Sequence, residues 1–66
     1  MKYLITYHDY DIEEEFENIS LLIKHIVGVF IDNGYFISRM LDNKQIIKLY
    51  EQEFGCDIHS YEKLGD

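Results

Sequence analysis

The sequence predicts an α+β domain in which a β-hairpin, a helix, a third strand and a second helix follow one another. Three observations lead to this prediction. Residues near the N-terminus alternate in polarity, a long apolar stretch of helical character follows, and a second amphipathic segment is bounded by residues that favour helix ends. We expect both helices to pack on one face of a short antiparallel or mixed sheet.

The first two segments are expected to be strands that pair as a hairpin. Residues 2–8 are rich in β-branched and aromatic side chains, and one face holds Tyr3, Ile5 and Tyr7. Residues 9–17 place an acid on every odd position and mostly apolar residues on the even ones, with Glu14 as the exception. On a strand this alternation gives one acidic face and one mostly apolar face.

A helix is a competing interpretation of the second segment. Asp11 and Glu14 have the spacing of a capping box, and the apolar residues that follow form one stripe at helical periodicity. A single helix would then span residues 12–33. We favour the strand because the alternation is regular and because a separate helix can start at Asn18 or Ser20.

Residues 19–33 predict a helix that is apolar almost all round, as is typical of a helix buried on several sides or covered by a partner. Asn33 and Gly34 suit its C-terminus, with Gly34 in the left-handed conformation, although the same pair is also a hairpin signal. Residues 35–41 predict the third strand. Asp42 then caps a helix over residues 43–54, with Gln45 at its third position and a stop at Gly55.

The expected core takes the apolar positions of these elements. They are Leu4, Ile5, Phe16, Leu22, Ile23, Ile26, Phe30, Ile37, Met40, Ile46, Ile47 and Tyr50. Tyr3, Tyr7 and Tyr35 are also expected to be mainly structural. Tyr10 and Tyr61 have acidic neighbours, so they are the better interface candidates.

The length of 66 residues predicts a single domain over residues 1–66, with a loosely held acidic tail at 56–66. So short a chain buries only about 60% of its unfolded surface. Cys56 is the only cysteine, so no intrachain disulfide can add stability. We expect a homodimer, because the helix over residues 19–31 has more apolar surface than a thin sheet can cover.

Charge is the strongest global signal, with a net charge of −7. Residues 1–17 carry six acids and one base, residues 18–50 two acids and four bases, and residues 51–66 five acids and one base. Such a surface repels nucleic acid and anionic membranes, and it attracts basic protein surfaces. The alternative explanation is that the acids serve solubility only.

The sequence favours a binding protein over an enzyme. Cys56, Asp57 and His59 lie close together, and His8 precedes Asp9, but neither group matches the ligand spacing of a zinc or iron site. The four glycines are isolated, so there is no phosphate-binding loop. We expect no catalytic residue, no metal and no cofactor. The longest apolar stretch is too short to span a membrane and the start lacks a signal peptide, so we expect a cytoplasmic location.

The acidic segment is the predicted partner-binding site. Its residues are Asp9, Tyr10, Asp11, Glu13, Glu14, Glu15 and Glu17. Acids on one strand face would repeat about every 6.6–6.8 Å, which is near twice the axial charge spacing of one DNA strand. Glu14 and four C-terminal acids are expected to widen the patch: Glu51, Glu53, Asp57 and Glu62. The row is therefore interpreted as a decoy for a basic, nucleic-acid-binding surface; the alternative is a small homodimeric structural or regulatory subunit.

Residues 16–20, the apolar helix and residues 33–38 together resemble small hairpin–helix–strand proteins of Firmicutes phages and mobile elements. Small, acidic, phage-encoded proteins resemble, as a class, inhibitors of bacterial defence, including anti-CRISPR proteins and nucleic-acid mimics. The resemblance implies an inhibitor of a host protein, such as a defence nuclease, in the cytoplasm of the bacterial cell. It rests on a pattern of apolar positions and assigns no role to any residue.

Overall fold

The structure, a computed structural model, describes residues 1–38 and 40–62. A three-stranded antiparallel sheet and two helices follow in the order β-β-α-α-β, so the predicted α+β class is confirmed. The elements are β1 (Lys2–Tyr7), β2 (Glu13–Phe16), α1 (Ile19–Asp32), α2 (Asn43–Phe54) and β3 (Cys56–Tyr61). The predicted order of the last two elements, strand before helix, is wrong.

The N-terminal strand lies in the middle of the sheet, in the order β2-β1-β3. Ile5 lies opposite Glu14 on one side and opposite Ile58 on the other. The predicted hairpin is therefore confirmed, and the competing single helix over residues 12–33 is excluded. However, β2 begins only at Glu13, so residues 8–12 form the connection between the two strands.

Helix α1 begins at the expected residue and ends one residue before the predicted end at Asn33. The side chain of Asn18 accepts a hydrogen bond of 2.9 Å from the backbone N–H of Leu21, as an N-cap does. The helix ends at Asp32, and Gly34 follows in the left-handed region at φ +79°. Its fully buried side chains recur every fourth position, at Leu22, Ile26 and Phe30.

Helix α2 has the complete set of predicted end signals. Asp42 accepts from the backbone of Gln45, while the Gln45 side chain accepts from the backbone of Asp42, which makes a capping box. Gly55 ends the helix in the left-handed conformation, at φ +60°. The chain reverses there and enters β3 directly, so α2 and β3 lie against each other.

The third strand is Cys56–Tyr61, and residues 35–38 and 40–41 form no strand, which corrects the prediction for 35–41. Cys56 and Ile58 lie opposite Tyr7 and Ile5, so their side chains join the core. Tyr35 instead packs across the end of the helical layer, 5.2 Å from the Phe30 ring. Residues 56–61 are thus an ordered strand where a loose tail was expected, and residues 63–66 of that tail lie outside the described residues.

The core lies between the sheet and the helices. Its buried members are Ile5, Leu22, Ile26, Phe30, Ile46, Tyr50 and Cys56, of which only Cys56 was not expected. Phe16, Ile23, Ile37 and Ile47 pack against this core, as predicted. Met40 is 92% exposed, so its assignment to the core is wrong. Leu4 is half-buried and points to the other face of the sheet, since it alternates with the buried Ile5.

Candidate interaction surfaces

One face of the sheet packs on the helices, and the other, here called the outer sheet face, carries the alternate residues of each strand. The pairing arranges these side chains in rows. Thr6 lies between Glu13 and Asp57, and Leu4 lies between Glu15 and His59. Each row therefore begins with an exposed glutamate on β2, which is Glu13 in the first row and Glu15 in the second.

Lys2 is the one lysine or arginine among the described residues of the outer sheet face, and it is held by two acids. Its Nζ lies 3.0 Å from Glu15 Oε1 and 3.1 Å from Glu17 Oε1. Only 13% of the Lys2 side chain is exposed, whereas the glutamates remain open to solvent. The hydrogen bonds with Glu15 and Glu17 raise the pKa of Lys2, so it stays charged at any physiological pH.

Tyr61 completes this end of the outer sheet face, opposite Lys2 across β1 and β3. Burial and a hydrogen bond to Glu15 raise the pKa of Tyr61. Tyr61 is one of the interface candidates from the sequence, and in the structure its side chain is half-buried and hydrogen-bonded to Glu15. Its ring and the Leu4 side chain give the outer sheet face an apolar component beside the acids.

The connection between β1 and β2 holds three of the predicted partner-binding residues. Asp9, Tyr10 and Asp11 are all exposed, and Tyr10 is 65% exposed with its ring 6.4 Å from that of Tyr7. Because this segment is not a strand, the predicted row of five regularly spaced acids is wrong. Of these five acids, only Glu13 and Glu15 lie in β2, and Glu17 follows directly after its end at Phe16.

Glu14 points away from the other acids, toward the helices. Its Oε1 accepts a hydrogen bond of 2.9 Å from the Tyr7 hydroxyl, and the Tyr7 and Tyr50 hydroxyls lie 2.7 Å apart. His25 Nε2 lies 3.6 Å from the other carboxylate oxygen of Glu14. The His25 ring is tilted against the Phe16 ring, with 4.9 Å between the ring centroids. Glu14 therefore belongs to a polar network at the edge of the core and not to the outer sheet face.

The C-terminal acids divide between the two sides of the protein. Asp57 lies on the outer sheet face and pairs with His8 at 2.8 Å, and Glu62 is exposed just after β3. Glu51 and Glu53 lie on α2, where Glu51 Oε2 accepts from the backbone N–H of Ile58 at 2.8 Å. The expectation that all four acids widen one patch is therefore wrong for the two acids of α2.

Cys56 has no geometry for nucleophilic chemistry. It is 1% exposed, and burial raises the pKa of its thiol to about 11. The thiol thus stays protonated at neutral pH, while the thiolate is the reactive form. His59 lies three residues along the same strand and so points to the opposite face of the sheet. The sequence did not reveal this burial, because the strand that causes it was not predicted.

A second surface lies between α1, the connection to α2, and the start of α2; it is called the α1–α2 groove here. It is an open cavity of about 800 Å³. Its described lining residues are uncharged and include Val27, Ile31, Tyr35, Phe36, Ile37, Leu41 and Ile46. Phe36 at its rim is fully exposed, and Ile31 is 63% exposed.

Neither a metal site nor a membrane-spanning helix occurs in the part of the chain that the structure describes. No group of three or more His, Cys, Asp and Glu side chains is placed to hold a metal ion over residues 1–38 and 40–62. No helix within those residues has the length and apolar character to cross a membrane. No protein-family model, curated protein or solved structure matches the chain.

Proposed function

We propose that this protein is a small acidic interaction module whose outer sheet face and β1–β2 connection bind a basic surface of another protein. The observation that supports this most is the one-sided placement of the acids. The outer sheet face and the connection carry six acids and one lysine: Asp9, Asp11, Glu13, Glu15, Glu17, Asp57 and Lys2. No helix covers this side in the described structure, so a partner has direct access to it.

The acidic side is also shaped for contact rather than for catalysis. A sheet face offers a broad, shallow surface, while a pocket that binds a small molecule must enclose it. Tyr10, Tyr61 and Leu4 lie among the acids, and aromatic and apolar side chains supply much of the binding energy of protein interfaces. The carboxylates would then contribute orientation and association rate, through electrostatic attraction to lysines and arginines.

The proposed partner is a basic, nucleic-acid-binding protein such as a defence nuclease, and the proposed setting is the bacterial cytoplasm. A surface that binds nucleic acid through Lys and Arg is among the most positive surfaces that a cell contains. The carboxylates of the outer sheet face would occupy that surface and so inhibit nucleic-acid binding. Glu13 and Glu15 keep the spacing of alternate residues on a strand. The five acids do not form one regularly spaced row, so the proposed inhibition does not depend on matching the spacing of phosphates.

The test compares two double variants that have the same net charge. Glu13→Gln with Glu17→Gln removes two acids of the outer sheet face, and Asp32→Asn with Glu53→Gln removes two exposed acids of the helical layer. Each protein is immobilised and exposed to bacterial lysate at about 0.05 M and at about 0.5 M salt, which span strong and weak screening. Captured proteins are then purified, and their nucleic-acid binding is measured with the free variants as competitors.

The proposal expects one pattern of results. The parent and the helical-layer variant should retain and inhibit the same basic protein at low salt, and high salt should release it. The outer-face variant should inhibit at least about tenfold less, because two charge-assisted contacts of about 1 kcal/mol or more are lost. Equal inhibition by both variants, or no captured nucleic-acid-binding protein, would contradict the proposal.

A further inference from the structure

A small open cavity lies where the β1–β2 connection meets the edge of the core, and it is called the Tyr7–Tyr10 cavity here. Its described lining consists of two aromatic rings, one aliphatic side chain and one carboxylate: Tyr7, Tyr10, Ile12 and Glu14. The volume of this cavity is about 230 Å³. Pockets that enclose small molecules begin at about 300 Å³, so this cavity suits one inserted side chain better than a whole metabolite.

The two tyrosine rings form the walls of a corner. Their centroids lie 6.4 Å apart and their planes are inclined by 72°. Tyr10 is 65% exposed and Ile12 is 56% exposed, so a partner has access to the corner from solvent. An aromatic face attracts a cation that lies within about 6 Å of its centroid. The aromatic lining of the cavity therefore favours a ligand that carries a positive charge.

Glu14 adds a carboxylate that the protein itself holds in position. Its Oε1 accepts a hydrogen bond of 2.9 Å from the Tyr7 hydroxyl, which restricts the carboxylate before a ligand arrives. The Glu14 side chain is 37% exposed, so a ligand can still reach it. Whereas Lys2 pairs with Glu15 and Glu17, no described lysine or arginine pairs with Glu14. Its neighbour His25 Nε2, at 3.6 Å, makes no hydrogen bond among the described residues.

We propose that the Tyr7–Tyr10 cavity binds an arginine side chain of the partner protein, an inference that specifies the proposed function and rests on it. A guanidinium is planar and weakly hydrated, it stacks on aromatic rings, and it forms two parallel hydrogen bonds with a carboxylate. The compact ammonium of lysine is more strongly hydrated and has no plane to stack. The cavity places aromatic rings beside a carboxylate, which is the combination that a guanidinium uses.

The surrounding charge supports the same ligand. Residues 9–17 contain six acids and no lysine, arginine or histidine, so the potential around the cavity attracts cations. An arginine in a pocket beside aromatic side chains is typical of the few residues that contribute most of the binding energy at an interface. The outer sheet face would then attract the basic partner, and the cavity would anchor one of its arginines.

The test is a nuclear magnetic resonance titration of the ¹⁵N-labelled chain with N-acetyl-arginine methylamide, at about 0.05 M salt so that screening stays weak. N-acetyl-citrulline methylamide is the uncharged probe of the same shape, and N-acetyl-lysine methylamide carries the charge without the plane. Glu14→Gln keeps an acceptor for Tyr7 but removes the charge, and Asp32→Asn removes one exposed charge from α1 as its control. Tyr10→Leu and Tyr10→Phe form a second matched pair, and circular dichroism verifies that each variant is folded.

The arginine probe should bind with a dissociation constant of about 1 mM and shift the backbone signals of residues 7–14. The citrulline probe, and the arginine probe with Glu14→Gln, should bind at least about tenfold more weakly, because the charge-assisted hydrogen bonds are lost. Tyr10→Leu should weaken arginine binding about two- to fivefold, while Tyr10→Phe and Asp32→Asn should bind nearly as the parent does. Equal binding of the arginine and citrulline probes, tighter binding of the lysine probe, or equal effects of Glu14→Gln and Asp32→Asn would overturn the proposal.

The lysate experiment separates this inference from the proposed function, since its variants change Glu13 and Glu17 and leave the described lining of the cavity intact. Capture of a basic protein without binding of the arginine probe would overturn the arginine site and leave the proposed function in place. Binding of the probe at residues 7–14 without a captured protein would support the arginine site and contradict the proposed function.

Discussion

The hydroxyl of Tyr7 on β1 lies 2.7 Å from the hydroxyl of Tyr50 on α2 and also donates to Glu14 on β2. Since Tyr7 has a single hydroxyl proton and gives it to Glu14, Tyr50 must donate to Tyr7. Burial and the hydrogen bonds with Tyr50 and Glu14 raise the pKa of Tyr7, and burial raises the pKa of Tyr50. One chain of hydrogen bonds thus connects both strands of the hairpin to the second helix.

This connection predicts an order of stability for two conservative variants. Tyr50→Phe removes one donor and should lower the free energy of unfolding by about 1 kcal/mol. Tyr7→Phe leaves Glu14 Oε1 without its donor and the Tyr50 hydroxyl without its acceptor, so it should cost up to about 3 kcal/mol. Urea unfolding measures both, with Tyr10→Phe as an exposed control expected to change little. A Tyr7→Phe variant as stable as the parent would show that the network contributes nothing.

The same substitution at two glycines should have opposite effects. Gly28 lies inside α1, and a methyl group added there meets no described atom within 4 Å beyond its chain neighbours and the helix's own backbone, so Gly28→Ala should stabilise the helix by up to about 1 kcal/mol. Gly55 has φ +60°, where an L side chain is strained, so Gly55→Ala should cost about 1–2 kcal/mol. Thermal unfolding should move the midpoint up for the first variant and down for the second; shifts in the same direction would be inconsistent with this backbone geometry.

Glu51 links α2 to the edge strand β3. Its carboxylate accepts the backbone N–H of Ile58 at 2.8 Å, which satisfies a donor on that strand. Glu51→Ala should lower the free energy of unfolding by about 2 kcal/mol, since a charge-assisted hydrogen bond is lost. Glu51→Gln retains an acceptor oxygen, so most of the stability should return. Chemical unfolding of the three proteins decides this, and identical losses for Ala and Gln would mean that the hydrogen bond is not what matters.

Cys56 predicts how stability changes at alkaline pH. Its pKa is raised from 9.0 to about 11 by burial first, then by the charges of Glu51 and Asp57. The folded state holds this proton more tightly than the unfolded chain, so the contribution is complete below pH 9 and is lost as the pH rises toward 11. The free energy of unfolding should therefore fall more steeply over this range in the parent than in Cys56→Ala. Parallel pH profiles would contradict the shift, since the tyrosines titrate in both proteins.

Local signals made the helices predictable. Asp42, Gln45 and Gly55 specify both ends of α2 through contacts within a few residues, and Asn18 does the same for the start of α1. The third strand was not predictable in this way. Residues 35–41 are rich in aromatic and apolar side chains and residues 56–59 alternate in polarity, so both segments have strand character, and the choice depends on which segment can reach the open edge of β1. Gly55 settles it by turning the chain from α2 directly onto that edge.

The acidic site was predictable in composition but only partly in geometry. Alternation placed Glu13, Glu15 and Glu17 on one face, and the structure agrees, but Glu14, which was expected to widen the same patch, lies on the face that packs on the helices. The sequence pattern did not show where β2 starts, because acidic residues occur both in turns and on exposed strand faces, and their order in the sequence does not distinguish the two. It also gave no sign that Lys2 would lie between Glu15 and Glu17, since that contact depends on the register of the hairpin.

The central position of β1 also determines the order in which the molecule can assemble on a ribosome. Lys2 pairs with Tyr61, so β1, which is synthesised before β3, cannot complete its pairing with this second neighbour until residue 61 has been translated. Until then the hairpin and helices can form only with one side of β1 unpaired, and contacts so far apart in sequence form slowly. A nascent chain stalled before residue 56 should therefore expose the hydrogen-bonding edge of β1, and a protease or a chaperone could recognise it there.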